Sequence, residues 1–202
     1  MFDRAMVRRI KELVCGLGSL VLVAGCGASA PAYNYKVEPD PRGTEFTIGP
    51  LDQLSVKVWK NLELSAEVTV RPDGVITLPL IGDVKAGGRT PTEVQKEIAK
   101  RLSDFVRDEE VVLSVGVTSV NSYNFTVLGA VEHSGYFTAK SYVTTVEAIA
   151  MAGGPNRFAG NTVYIIRGKP ARRIPIDLRR ATSSEYAAEN LVVLRGDLLV
   201  VP

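Results

Sequence analysis

The chain has 202 residues, with 24 basic side chains, 22 acidic side chains and one histidine. Four of the basic and two of the acidic residues fall within residues 1–25, which leaves 20 of each sign in the remainder. That balance excludes the basic excess typical of nucleic-acid-binding proteins. Both cysteines, Cys15 and Cys26, lie in the first 26 residues, so the rest of the chain has no thiol for a disulfide, a metal site or a nucleophile.

The N-terminus has the three parts of a secretory signal. Basic residues lead into an apolar run at 13–24, and small residues follow it. The run is shorter than the roughly 20 residues that a membrane-spanning helix needs. Val23-Ala24-Gly25-Cys26 resembles the bacterial lipobox, in which the cysteine sulfur receives a diacylglycerol and the cysteine becomes the first mature residue. We therefore predict a lipoprotein signal peptide at 1–25 and lipidation at Cys26.

An ordinary signal peptide cleaved after Ala30 is the alternative. It would place Pro31 directly after the scissile bond, where a fixed φ and a missing N–H fit a protease cleft poorly. Glycine and proline recur without a helical or strand period from residue 26 onwards, which predicts a tether over 26–43. Gly27 stands where an aspartate often retains lipoproteins in the inner membrane. Its presence favours the outer membrane and leaves the inner membrane open.

Residues 44–120 predict a first domain of short strands and one helix. Alternating apolar residues predict strands at 54–58 and 111–117, a short strand at 46–48, and a hairpin at 68–78 around a Pro-Asp-Gly turn. A capping box at Thr90 and Glu93 predicts a helix over 91–106. The residues expected on the buried face of this helix are Val94, Ile98, Leu102 and Phe105.

Residues 121–202 predict a second domain of similar construction. Short apolar runs predict strands that include 163–167, 191–194 and 198–201. A second capping box, at Thr144 and Glu147, predicts a helix that glycines stop after Ala152. The predicted fold class is α+β: two domains, each a small mixed sheet with a covering helix.

Five pieces of sequence follow one another between residues 46 and 93. They read FTIGPLDQLSVKVW at 46–59, LS at 64–65, VRPDGVI at 70–76, PLIGDV at 79–84 and AGGRTPTE at 86–93. In this order they resemble the N-terminal domain of the outer-membrane polysaccharide export family. The resemblance identifies 44–120 as that domain.

The second region carries further matches. They are the glycine-spaced run at 127–135, AIAMAGGP at 148–155, the strand at 163–167 and GDLLVVP at 196–202. These resemble the SLBB module of the same family, a ubiquitin-like β-grasp, with Ser134 where the family usually has proline. The resemblance identifies 121–202 as a single SLBB domain.

Two side chains are candidates for polysaccharide contact. Trp59 offers an apolar ring, which suits carbohydrate, and Arg71 offers a guanidinium fork, which suits anionic sugars. The alternatives are a core ring for Trp59 and a surface stem for Arg71. Asp52, Asp73 and Asp83 lie beside glycine or proline at predicted turns, which is the usual setting of structural acids. We predict no catalytic residue, no cofactor and no metal site.

The resemblance implies a lipoprotein at the periplasmic face of the outer membrane, which conducts capsular or exopolysaccharide as a homo-oligomeric ring or collar. Its implied partners are the polysaccharide chain and an inner-membrane polysaccharide co-polymerase. No amphipathic segment follows residue 190, where longer family members have a pore helix. The sequence is therefore expected to be a short form that delivers the polymer to a separate outer-membrane β-barrel.

A monomeric periplasmic module that binds a ligand or signals within a polysaccharide assembly system is the alternative. An enzyme acting on the polymer is a third hypothesis. Glycosidases need two carboxyl groups about 5–10 Å apart in a cleft, whereas the acids of this sequence lie at turns or on a helix.

Overall fold

The computed structural model describes residues 33–105 and 111–202. The predicted signal peptide, the lipidation site Cys26 and the first part of the predicted tether lie outside these residues, as does the predicted end of the first helix at residue 106. The described residues form small sheets and short helices, and they confirm the predicted α+β class.

The first half contains an antiparallel three-stranded sheet and a separate hairpin. The sheet has β1 (Gln53–Val58) at its centre, between β2 (Ala66–Thr69) and β5 (Leu113–Ser119). The hairpin pairs β3 (Val75–Leu78) with β4 (Gly82–Lys85). Alternate residues of β1 are buried, as expected of a strand with one face against a core.

The predicted hairpin at 68–78 is wrong. The Pro-Asp-Gly turn does form, because the N–H of Arg71 donates to the carbonyl of Val75 at 2.9 Å. The strands on either side of the turn take different partners, however: β2 pairs with β1, and β3 pairs with β4. The predicted strand at 46–48 is also absent. Ile48 instead makes two backbone hydrogen bonds, with Gly88 and Arg89.

The predicted helix forms as α1 (Pro91–Leu102), and its capping box joins Thr90 and Glu93 in both directions. Val94, Ile98 and Leu102 are buried as predicted, in one core with the residues of β1, β3 and β5. The helix ends at Leu102, and the chain continues as a turn in which Phe105 N–H donates to the Leu102 carbonyl. Phe105 therefore leaves the helical face and is 58% exposed, so its predicted burial is wrong.

The second half is built on a five-stranded mixed sheet in the order β7-β6-β10-β8-β9. β6 and β10 are parallel at the centre of the sheet, and the other neighbours are antiparallel. The helix α2 (Thr145–Met151) starts at the predicted capping box and packs Ala148 and Ile149 into the core of this sheet. The strands are β6 (Asn124–Gly129), β7 (Gly135–Thr138), β8 (Thr162–Arg167), β9 (Arg172–Asp177) and β10 (Leu198–Val201).

Shorter elements complete the second half. The helix α3 (Leu178–Ala181) follows β9 directly, with the Asp177 side chain as its N-cap. A 3-10 helix covers Ser184–Glu189. The strand predicted at 191–194 is reduced to an isolated bridge between Val192 and Thr144.

The side chain of Asp52 joins the two halves. It is fully buried and accepts four hydrogen bonds, from the backbone N–H groups of Gly49, Asn121 and Ser122 and from the Ser122 hydroxyl, at 2.7–2.8 Å. Gly49 is required beside this junction, because a Cβ there would lie 2.5 Å from the Cβ of Ser122. Asp52 is a structural acid at a turn, as predicted, and it also fixes the connection to the second half.

Residues 33–38 lie against the second half, so this part of the predicted tether is not free. We call residues 33–38 the N-terminal strap. Tyr33 and Tyr35 pack on the core of the five-stranded sheet, and the Tyr35 hydroxyl donates to the carbonyl of Pro175 at 2.8 Å. Glu38 is buried and pairs with Arg167 and Arg172, each at 3.0 Å.

Arg167 is the centre of this buried ion cluster. Its side chain is 6% exposed, and it donates to Asp197, to Glu38 and to the carbonyl of Val192. Burial alone would raise the pKa of Glu38, but the hydrogen bonds from Tyr33 and Arg167 outweigh it and hold that pKa below its usual value. A buried ion is tolerated here because each charge has several partners.

Truncation of Leu102 to alanine tests the core around α1. We expect Leu102→Ala to lower the free energy of unfolding by about 2–5 kcal/mol, because it leaves a cavity beside buried neighbours. Phe105→Ala, on the exposed turn that follows, is the matched control and should change it by less than about 0.5 kcal/mol. Urea denaturation of both variants measures the difference. Equal losses in the two variants would contradict the observed end of the helix.

Replacement of Glu38 by glutamine tests the strap. Because the pKa of Glu38 is lower in the folded than in the unfolded chain, its carboxylate stabilises the fold above about pH 4.5, and this stabilisation is lost as pH falls through the folded value. We expect Glu38→Gln to lower the free energy of unfolding by about 3 kcal/mol at pH 7 and by much less at pH 3.

Urea denaturation at the two pH values measures this effect. Asp40→Asn is the control, because Asp40 pairs with Arg42 in solvent. Its unfolding midpoint at pH 7 should match that of the unmodified protein. A Glu38→Gln deficit that does not shrink in acid would contradict a role for the charge of Glu38.

Candidate functional site

A groove of about 700 Å³ lies beside Trp59, at the end of β1. Its apolar lining includes Trp59, Leu62 and Val112, which are 70%, 88% and 56% exposed. Lys57 and Lys60 line the same groove. This volume falls within the range of about 300–1,000 Å³ that is common for small-ligand sites.

Strand geometry and backbone hydrogen bonds place Trp59 in this groove. Residues two apart on a strand share a face, so Lys57 and Trp59 point away from the core that holds Val56 and Val58. The N–H of Trp59 donates to the carbonyl of Val112 at 2.9 Å and extends the pairing of β1 with β5. The ring is exposed, which excludes the core-ring alternative.

The loop after Trp59 is held in one shape. Lys60 has a φ of +58°, a left-handed conformation that non-glycine residues rarely adopt. The hydroxyl of Ser65 accepts from the Val58 N–H at 2.9 Å and donates to the carbonyl of Asn61 at 3.1 Å. A 3-10 helix at Leu62–Leu64 lies between these contacts and presents Leu62 to solvent. The groove is therefore built on fixed backbone.

Arg71 lies elsewhere, on the turn between β2 and β3, and it does not line the groove. Its guanidinium pairs with Asp73 at 2.6 Å and with Asp83 at 3.1 Å, and all three side chains are about half exposed. A hydrogen bond from the Thr77 hydroxyl, together with Arg71, holds the pKa of Asp83 below its usual value. The structure thus engages Arg71 in holding the hairpin and does not bring it together with Trp59.

Sequence reasoning found Trp59 but missed Lys57, Lys60 and Leu62. The position of Lys57 was available as a signal, because the alternation of β1 places it on the same face as Trp59. The contributions of Lys60 and Leu62 depend on the loop conformation, which no local sequence pattern predicts. The side chains of the groove suit non-covalent binding: an apolar surface with two positive charges beside it.

Within 33–105 and 111–202, no three His, Cys, Asp or Glu side chains are placed to hold a metal ion. In the same residues, no helix combines the length and the apolar character needed to cross a bilayer.

The chain is similar in sequence to proteins that are named for polysaccharide production or export. The chain is similar to the exopolysaccharide production protein ExoF of Rhizobium meliloti, with 29% identity over 57% of the chain and 30% of the relative. It is 28% identical to the EPS I polysaccharide export outer membrane protein EpsA of Ralstonia solanacearum, over 82% of the chain and 49% of the relative.

A third relative is the capsule polysaccharide export outer membrane protein CtrA of Neisseria meningitidis serogroup A. It is 25% identical over 67% of the chain and 34% of its own length. The chain thus spans between about a third and a half of the length of these relatives.

The model of the family described as "Polysaccharide biosynthesis/export protein" matches residues 40–116. This match covers β1 to β4, α1 and half of β5, which are the elements that form the core of the first half and the groove beside Trp59. The resemblance that the motifs at 46–93 predicted is confirmed. Residues 40–116 therefore correspond to the region that the model of the polysaccharide biosynthesis/export protein family describes.

Proposed function

We propose that this chain is a non-enzymatic component of a polysaccharide export conduit at the periplasmic face of the outer membrane. The observation that carries the proposal is the family domain at residues 40–116, whose elements fold as one core. Relatives named as export and outer membrane proteins support the role and the location. The substrate would be a capsular or exopolysaccharide, which passes through without a bond being made or broken.

A lipid on Cys26 would anchor the protein in the outer membrane. The lipobox at Val23-Ala24-Gly25-Cys26 supports this part of the proposal. Acyl chains hold a protein on one leaflet without a spanning segment, and more than one chain is needed for stable binding. The tether would then be residues 26–32, because the strap begins at Tyr33.

The second half would be an SLBB-type β-grasp domain. The order of its sheet supports this assignment, because the first and last strands of the half, β6 and β10, are parallel neighbours at the centre. The helix α2 packs into the same core, as a β-grasp requires. The domain boundaries would follow the motifs, with 44–120 as the export domain and 121–202 as the SLBB domain.

Several copies would assemble as a ring or collar. Exposed apolar side chains, among them Leu80, Tyr136 and Phe158, support contacts between subunits, and heterologous contacts that close give a ring. The ring would receive polymer from an inner-membrane co-polymerase and deliver it to a separate outer-membrane β-barrel. The sequence resemblance supports these two partners.

Deletion of the gene tests the export role. We expect the deletion strain to lose surface polysaccharide and a plasmid copy of the gene to restore it. Complementation with Cys26→Ser should give protein that no longer fractionates with the outer membrane, because the acceptor of the lipid is absent. Cys15→Ser, within the predicted signal peptide, is the matched control and should behave as the unmodified gene.

Polysaccharide staining of the cell surface and membrane fractionation provide the two measurements. Normal surface polysaccharide in the deletion strain would rule out the export role. Normal outer-membrane retention of Cys26→Ser would rule out the lipid anchor and leave the export role standing.

The size of the extracted protein tests the ring. Sedimentation of the protein from detergent-solubilised outer membranes should give a species many times larger than the 21.8 kDa chain. Heterologous interfaces that close around a ring leave no intermediate size favoured, so a single large species is expected. A monomer at the concentrations found in the membrane would favour the ligand-binding module that the sequence left as the alternative.

A further inference from the structure

We propose that the groove beside Trp59 binds acidic sugar units, so that the export domain carries a subsite for a polysaccharide with carboxylate groups. The proposal rests on the proposed function for the identity of the natural polymer. The shape, lining and charge of the groove support the site itself, and saccharide binding to it can be measured without export.

The shape of the groove favours a narrow ligand over a protein partner. Its volume of about 700 Å³ suits a few sugar rings. A stable protein–protein interface takes about 20–30 residues from each side, far more than line this groove. The backbone that carries the exposed indole is fixed by the hydrogen bond from Trp59 to Val112, so little backbone freedom is lost on binding.

The lining suits the two faces of a sugar. A pyranose ring has an apolar C–H face that packs against an aromatic ring, and Trp59 offers such a surface at 70% exposure. Leu62 and Val112 extend this surface on the sides of the groove. The polar edge of the sugar is left free for solvent or for the two lysines.

The charge of the groove selects among sugars. Lys57 and Lys60 stand on either side of Trp59 in the sequence and both line the groove, while no carboxylate is among the described residues that line it. A sugar stacked on Trp59 therefore meets ammonium groups at its rim. A uronic acid, with a carboxylate on each ring, complements both the ring surface and the charge, whereas a neutral sugar complements only the first.

The sole tryptophan of the chain makes this groove directly observable. All indole fluorescence comes from Trp59, so a change in emission on titration reports this groove alone. The experiment uses the full-length protein in a zwitterionic detergent without a sugar headgroup. The probes are tetragalacturonic acid and, as its neutral counterpart of equal length, maltotetraose.

We expect a saturable change in emission with tetragalacturonic acid and a dissociation constant about tenfold higher, or more, for maltotetraose. Affinity for the acidic probe should fall as salt is raised, because the lysines lie in solvent. The double variant Lys57→Gln/Lys60→Gln should bind the acidic probe no better than the neutral one. Lys96→Gln/Lys100→Gln, two exposed lysines of α1 outside the groove, is the matched control and should bind as the unmodified protein.

Calorimetry extends the test to variants without the reporter. Trp59→Ala should lose binding of the acidic probe, and Trp59→Phe should keep part of it. Both variants should keep the thermal unfolding midpoint of the unmodified protein, because the ring is exposed. Equal affinity for the two probes, or no saturable signal up to about 10 mM, would overturn the proposal. Loss of export in Trp59→Ala, when the unmodified protein binds neither saccharide probe, would also overturn it, in favour of a protein partner.

The outcomes separate this inference from the export role. If the acidic probe binds and the deletion strain still displays polysaccharide, the groove stands and the export role fails. If the probe does not bind and the deletion strain loses its polysaccharide, the export role stands and the groove assignment fails.

Discussion

The hydrogen bonds to the Asp52 carboxylate set the relation between the two halves of the described chain. A buried carboxylate is costly unless its oxygens are satisfied, and here both oxygens are, by groups from the turn at 49–52 and from the connection at 121–122. The turn supplies one donor, from Gly49, and the connection supplies three, from Asn121 and Ser122. The turn and the connection must therefore meet for the acid to be buried, which makes the junction specific.

Further polar contacts between the two halves come from different parts of the second half. The ammonium of Lys140 donates to the carbonyl of Val120 at 3.0 Å, and the guanidinium of Arg195 donates to the carbonyl of Thr47 at 2.9 Å. The first half is thus attached to the second half by polar groups that need defined geometry. A junction of this kind favours one orientation over many, whereas an apolar contact would tolerate sliding.

The parts of the fold that the sequence predicted are those with local signals. Each capping box is a four-residue motif that marks the start of a helix, and both helices begin where predicted. The predicted hairpin at 68–78 was wrong because a turn motif predicts the bend and not the strand with which each arm pairs. The prediction that Phe105 is buried was wrong because the apolar periodicity of the sequence continues past Leu102, where the helix ends. The docking of Glu38 depends on Arg167, 129 residues away, and no local pattern contains that pairing.

The candidate site, too, could be predicted from the sequence only in part. Trp59 could be named from its residue type, whereas Lys60 joined the groove only through a left-handed backbone conformation.

The strap has a mechanical consequence. A pull on the chain ahead of Tyr33 acts first on the contacts of Tyr35 and Glu38 with the five-stranded sheet, before it reaches the three-stranded sheet of the first half. Tension at the N-terminus is therefore borne first by the Arg167 cluster and the five-stranded sheet.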